Sequence, residues 1–271
     1  MPDNRPIGVF DSGLGGLTVV RELVRVLPGE KIIYFGDTGR VPYGDKSAET
    51  VTHYARQDER FLLSKDVKLI IAACGTVSSV AAHTGEVLPV PFIGVVSPAA
   101  KAAAAVSRSG RIGVIGTSAT IRSGAYEKAL LAINPELQVY SADCPIFVPL
   151  VEAGWIAPGD TVTTETVRRY LAPLREKGVD TLILGCTHYP VLSGFISEFM
   201  GPGVTLINTG YTAAMAASDF LRGKGLFSDA QTPAAGEYYV SDRAESFAQI
   251  AGVLLGQEMN GHVGLVDITR Y

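Results

Sequence analysis

Two stretches of the sequence share one form: IIAACGTVSS, Ile70 to Ser79, and LILGCTHYP, Leu182 to Pro190. In each, aliphatic residues run without a polar break into small residues, a cysteine and a threonine. Val67 precedes Cys74 by seven positions, as Val179 precedes Cys186. An unbroken aliphatic run that ends abruptly in loop residues reads as a parallel strand covered on both faces. A strand of that kind needs helices on both sides, which restricts the chain to α/β architectures. In open α/β sheets the loops at the carboxyl ends of the strands are where ligands bind. Two strands therefore each deliver a thiol to a loop, and any functional reading has to account for both.

The rest of the composition narrows the class. With 271 residues, 47% apolar and 18% charged, the chain can build one large domain or two compact lobes. Its longest apolar window, Ser97 to Ser107, is broken by Lys101 and is far shorter than the ~20 residues that cross a bilayer. The N-terminal MPDNRPIG lacks the basic and then apolar pattern of a secretion signal, so a cytoplasmic location is expected. A net charge of -4 and a pI of 5.6 offer no basic footprint for nucleic acid. Three cysteines without CxxC spacing and four scattered histidines predict neither a metal centre nor a disulfide framework.

Taken in order, RPIGVFDSGLGG reads as a strand and a glycine-rich turn, followed by a helix up to Pro28. Lys31 to Asp37 is the next strand. Ser47 is placed to cap a helix running to Ser64 and leading into the Cys74 strand. A helix begins near Thr76, and Pro91 to Val96 reads as a fourth strand. From Arg111 the pattern starts again. IGV at Ile7 to Val9 recurs at Ile112 to Val114, and Glu30, Tyr34 and Asp37 recur as Glu136, Tyr140 and Asp143 at a constant offset of 106. The cysteines follow at an offset of 112. This repetition predicts two pseudo-symmetric α/β lobes with mainly parallel sheets and an active site between them. The expected division is 1–96 with 210–271 for the first lobe and 97–209 for the second. The tail is expected to add a helix to Leu221, one strand at Glu237 to Asp242 and a helix to Gly256, and to complete the first lobe's sheet.

Three chemistries use two cysteines. A redox disulfide is disfavoured by the absence of CxxC. A cysteine nucleophile needs a base, for which His188 stands two positions from Cys186. In two-base proton exchange, one thiolate removes a proton from a carbon while the other thiol supplies one to the opposite face. Near-symmetric lobes suit this third chemistry best. A thiol with a pKa of about 8.5 then needs help, and Asp11, Glu152 and His188 are the candidate relays. Cys144 has no comparable setting and reads as structural. The DSGLGG turn fits neither phosphate-loop spacing. It reads instead as a place where Ser12 and backbone amides meet a carboxylate, with Thr117 and Thr120 of GTSAT at the corresponding point of the second lobe.

DSGLGG, GDTGRVPYG, AACGT, IGTSAT, PLVEAG and LGCTHYP stand in the order found in glutamate racemases, and YYVSD extends the match into the tail. The chain resembles that family over most of its length. The resemblance implies cofactor-independent interconversion of L- and D-glutamate, supplying D-glutamate for peptidoglycan, in an enzyme that is often a homodimer. By motif, Cys74 corresponds to the base toward D-glutamate, assisted by Asp11, and Cys186 to the base toward L-glutamate, assisted by Glu152 and His188. Ser12, Pro42, Tyr43, Gly44, Thr76 and Thr187 fall at substrate-contacting positions. One position departs from the pattern. Gly75 stands where the family usually carries asparagine, leaving the backbone N–H but removing an amide whose hydrogen bond is worth roughly 0.5 to 1.5 kcal/mol. The alternatives are an aspartate racemase or a related thiol-dependent isomerase, of which aspartate racemases resemble the chain less because they typically lack the His-Tyr-Pro continuation, and a carboxylate-binding module with a decayed site, which the Gly75 departure suggests.

Overall fold

A computed structural model describes residues 1–230, 236–242, 244–255 and 263–271. Strands β1 (Ile7–Asp11), β2 (Ile32–Gly36), β3 (Leu69–Ala72) and β4 (Phe92–Gly94) alternate with helices α1 (Leu17–Val26), α2 (Ala48–Leu63) and α3 (Gly75–Val80). After helix α4 (Val96–Val106) come strands β5 (Arg111–Gly116), β6 (Gln138–Asp143), β7 (Thr181–Leu184) and β8 (Thr205–Asn208). Their connections hold α5 (Ser118–Ser123), α6 (Ala125–Ile133), α7 (Phe147–Glu152), α8 (Thr161–Glu176) and α9 (Ser193–Met200). The tail supplies α10 (Thr209–Lys224), β9 (Glu237–Val240), α11 (Ala244–Leu255) and β10 (Val263–Leu265).

The strands form two sheets, ordered β10-β9-β2-β1-β3-β4 and β6-β5-β7-β8, and every described pairing is parallel. The α/β class read from the aliphatic runs is what the chain adopts. The first four strands and the second four repeat one order, so the sequence repeat has its counterpart in topology. Register repeats too. Ile7 pairs with Leu69 and Ile112 with Thr181, and each cysteine lies five residues beyond its strand's partner residue.

Two sequence expectations are corrected. The tail contributes two strands, β9 against β2 and β10 against β9, where one was expected. β10 is only three residues, Val-Gly-Leu, too short to show alternation. The fourth strand ends at Gly94 rather than Val96, because Val96 already begins the alanine-rich α4. The cap on α2 is as read, with Ser47 accepting the Thr50 N–H. The expected end of the last helix at Gly256 lies outside the described residues.

The inner strands are buried, with β1, β2, β3 and β7 fully covered along their length, while the edge strands β4, β6, β8 and β10 are only partly covered. One apolar cluster runs from Ile7, Val9 and Ile71 of the first sheet to Leu182 and Leu184 of the second, through α1 and α10. In each sheet the chain reverses direction across the first strand, between β1 and β3 and between β5 and β7. Loops leaving such a switch point diverge and leave a crevice. Here the loops after β1, β3, β5 and β7 open toward one another.

Candidate active site

The crevice is a cavity of about 240 Å³, and both cysteines line it. Cys74 follows β3 and caps α3, while Cys186 follows β7; both are buried as free thiols. Ser12, Pro42, Tyr43, Gly44, Gly75 and Thr76 enter the lining from the first sheet's loops, and Thr117, Glu152, Thr187 and His188 from the second's. Two expected site residues stand behind the wall. Asp11 is fully buried, its Oδ2 accepting the Gly13 N–H at 3.0 Å. Thr120 lies under Thr117, to whose hydroxyl its own N–H donates. Thr117 reaches across to Thr76, with their hydroxyls 3.0 Å apart.

The two thiols have different surroundings. The Cys74 thiol donates toward Ser12 Oγ at 3.7 Å. Burial and the nearby Asp11 carboxylate push it up to about 12, so it is a neutral thiol in the resting site. Asp11 is itself raised by burial, against the pull of His188 and of the backbone amides of Gly16, Gly13 and Ser12. Cys186 Sγ lies 3.9 Å from His188 Nδ1, and His188 Nε2 lies 3.2 Å from Glu152 Oε1. Burial opposes charge on this imidazole. Its hydrogen bonds and charge interactions with Cys186 and Glu152 outweigh that and raise it to about 10. Near neutral pH His188 is therefore an imidazolium between a sulfur and a carboxylate.

Sequence reasoning missed part of the wall. Val148 and Pro149 of α7, with Pro145 before it, line the cavity beside Glu152. The signal was present, since Val148 and Glu152 are four apart on one helix and must share a face. Gly185 lines the cavity as bare backbone, and Val41 lines it with an apolar side chain. Among the described residues, no group of three or more His, Cys, Asp or Glu side chains is arranged to hold a metal ion.

Two thiol loops thus meet in one cavity, each backed by an acid or imidazole, an arrangement whose chemistry suits the movement of protons. The sequence profile of the Asp/Glu/hydantoin racemase family matches residues 7–217, and the chain belongs to that family. It is 48% identical over 256 residues to the glutamate racemase of Geobacter metallireducens, covering 94% of each chain. The crystal structure of glutamate racemase isoform RacE1 from Bacillus anthracis superposes with a TM-score of 0.92 at 39% identity, covering 98% of this chain and 99% of that one. Glutamate racemase from Francisella tularensis, solved in complex with D-glutamate, gives 0.91 at 36% identity over 99% and 100%. The resemblance read from the motifs is borne out at the level of the whole chain.

Proposed function

We propose that this protein is a glutamate racemase that uses Cys74 and Cys186 as opposed bases. The observation that carries this reading is that both thiols, delivered by equivalent strands of two sheets, line one small cavity. With a planar carbanion between them, the thiolate that took the α-proton becomes a thiol, and the thiol opposite gives its proton to the other face. In the resting site Cys74 is the proton donor, and His188 stands beside the sulfur of Cys186. Catalysis from L-glutamate then moves the α-proton to Cys186 and a proton from Cys74 to carbon. This leaves Cys74 as the thiolate and Cys186 as the thiol, the state from which the reverse turnover starts, and Asp11 or solvent resets the pair for another forward turnover. Ser12, Tyr43, Gly44, Thr76, Thr117 and Thr187 surround the substrate with hydroxyls and backbone amides suited to its carboxylates. The chemistry calls for no cofactor.

The reading places the enzyme in the cytoplasm, where D-glutamate is made for peptidoglycan, and assigns it a homodimer. Light scattering that returned the single-chain mass of 28.6 kDa would remove the dimer from it. The decisive test is circular dichroism of D-glutamate with purified protein and no added pyridoxal phosphate. The signal is expected to decay to zero, with no comparable decay for D-aspartate. A flat trace with measurable glutamate binding would mean a carboxylate-binding module instead.

A further inference from the structure

The turn that follows β1 meets the loop carrying Cys186, Thr187 and His188 behind the cavity wall. A Cβ built on Gly15 would lie 2.6 Å from both Nδ1 and Cε1 of the His188 ring and 2.2 Å from the Thr187 hydroxyl oxygen. The bare backbone of Gly15 is therefore the surface on which the buried imidazole rests. Gly15 is not among the glycines with positive φ, so what the position requires is space. Asp11, which opens the same turn, feels the charge of His188 as well.

Thr18, buried in the first turn of α1, holds the same loop by a hydrogen bond. The carbonyls of Cys186 and His188 accept the N–H groups of Tyr189 and Val191 at 3.1 Å each, within the loop itself. The Thr187 carbonyl between them accepts the Thr18 hydroxyl at 2.8 Å. That hydroxyl also lies 2.9 Å from the Gly15 carbonyl. The Thr18 N–H already donates to this carbonyl at 3.0 Å, so the single hydroxyl hydrogen can go to Thr187. Gly15 and Thr18 are absent from the cavity lining, and their contacts fall on either side of the bond between Thr187 and His188.

We propose that Gly15 and Thr18 are positioning residues that seat His188 against Cys186, so that the group assisting one thiol is held by the turn and helix that follow the strand of Asp11. This rests on the two-base reading above, in which His188 assists Cys186 and Asp11 assists Cys74. Reacting groups displaced by about 1 Å lose roughly a hundredfold in rate. Slack in this seat should therefore slow proton removal by Cys186 and spare proton removal by Cys74.

The test uses elimination from the two enantiomers of a glutamate analogue with a leaving group on C3. One thiolate takes the α-proton and the leaving group departs with its bonding pair, so Cys186 serves the L-analogue and Cys74 the D-analogue. Thr18→Val keeps the shape of the side chain and removes the donor. Gly15→Ala keeps the backbone and pushes on the ring. In both variants kcat for the L-analogue should fall at least about tenfold, with kcat for the D-analogue within about threefold of wild type. Racemisation should fall with the L-reaction, and Thr18→Ser, which restores the donor, should behave as wild type. A disturbed Thr187 hydroxyl raises KM for both enantiomers alike, so the split in kcat separates the seating of His188 from a general loosening of the site. Equal losses of kcat for the two enantiomers would overturn the proposal, as would an unchanged kcat in Thr18→Val or a Thr18→Ser variant as slow as Thr18→Val. Failure of both Thr18→Val and Gly15→Ala to fold would overturn it too, by showing that the contact holds the fold rather than the imidazole. Cys74→Ser in the wild-type background tests the underlying reading separately. If that variant still racemises, the two-base reading fails whatever Gly15 and Thr18 do.

Discussion

The inequality between the two cysteines is a property of single residues and their neighbours. Cys74 has a hydroxyl and a buried carboxylate, whereas Cys186 has an imidazolium backed by a carboxylate. This difference cannot appear in kcat/KM. Enantiomers have equal free energy, so kcat/KM must be the same in both directions at every pH. It shows in kcat and KM taken separately, and most directly in reactions that use one base. Cys186→Ser should retain elimination from a D-glutamate analogue with a leaving group on C3 and Cys74→Ser from its L-enantiomer, while each abolishes racemisation. Serine is the poorer base, because its hydroxyl is far less acidic than a thiol in the same surroundings. Variants that both kept racemising, or both lost the same enantiomer of the analogue, would show that the residues are not an acid/base couple.

The element that carries Pro42 to Gly44 into the cavity is the segment after β2, and it is held from below by charge. Arg40 Nε pairs with Asp37 Oδ2 at 2.6 Å, its Nη2 lies 3.3 Å from Asp58 Oδ1, and its guanidinium covers the Tyr54 ring. The Tyr43 hydroxyl donates to Asp37 and stands 3.2 Å from Asp58 Oδ2. Burial, and then the charge of Asp37, raises Asp58 well above the usual carboxylate range, which favours its protonated form. Asp58→Asn should therefore cost less than about 1 kcal/mol. Arg40→Ala strands a buried carboxylate and should cost about 3 kcal/mol. It should also raise KM more than it lowers kcat, because it loosens the Tyr43–Gly44 wall. Urea titration with steady-state kinetics checks both, and an Arg40→Ala variant as stable as Asp58→Asn would refute the ion-pair account. The sequence showed the strands, the thiols and the glycine loops, because unbroken aliphatic runs and their punctuation are local signals. It could not show the Arg40 cluster, which joins residues 37, 40, 43 and 58 through side chains on a loop and a helix. It also hid the contact of Gly15 with His188, since contact between distant turns leaves no periodic trace.

At the scale of the molecule, the question is whether the halves 1–96 with 210–271 and 97–209, proposed from the sequence, behave as separate units. Several contacts cross between the two sheets' loops and helices. The Thr18 hydroxyl donates to the carbonyl of Thr187 at 2.8 Å, Ala119 N–H donates to the Gly44 carbonyl at 3.2 Å, and Asn208 Nδ2 lies 3.4 Å from Glu22 Oε1. Net contributions of about 1 kcal/mol each would not by themselves fuse two domains. The apolar cluster is the stronger term. It includes Leu17, Val20 and Leu23 of α1, Ala214, Ala217 and Leu221 of α10, and the inner residues of both sheets. Because α10 begins directly after β8 and packs along α1, exposing either sheet's face also exposes the other's. Cooperative unfolding follows when no part can open without the whole losing buried apolar surface. The chain should accordingly melt in one calorimetric transition whose van't Hoff and calorimetric enthalpies agree. Thr18→Val should shift that transition down without splitting it, since it removes one crossing hydrogen bond and leaves the apolar joint intact. Two resolved transitions in the wild-type protein would mean that the halves are independent and that the cavity between them is held by the loop contacts alone.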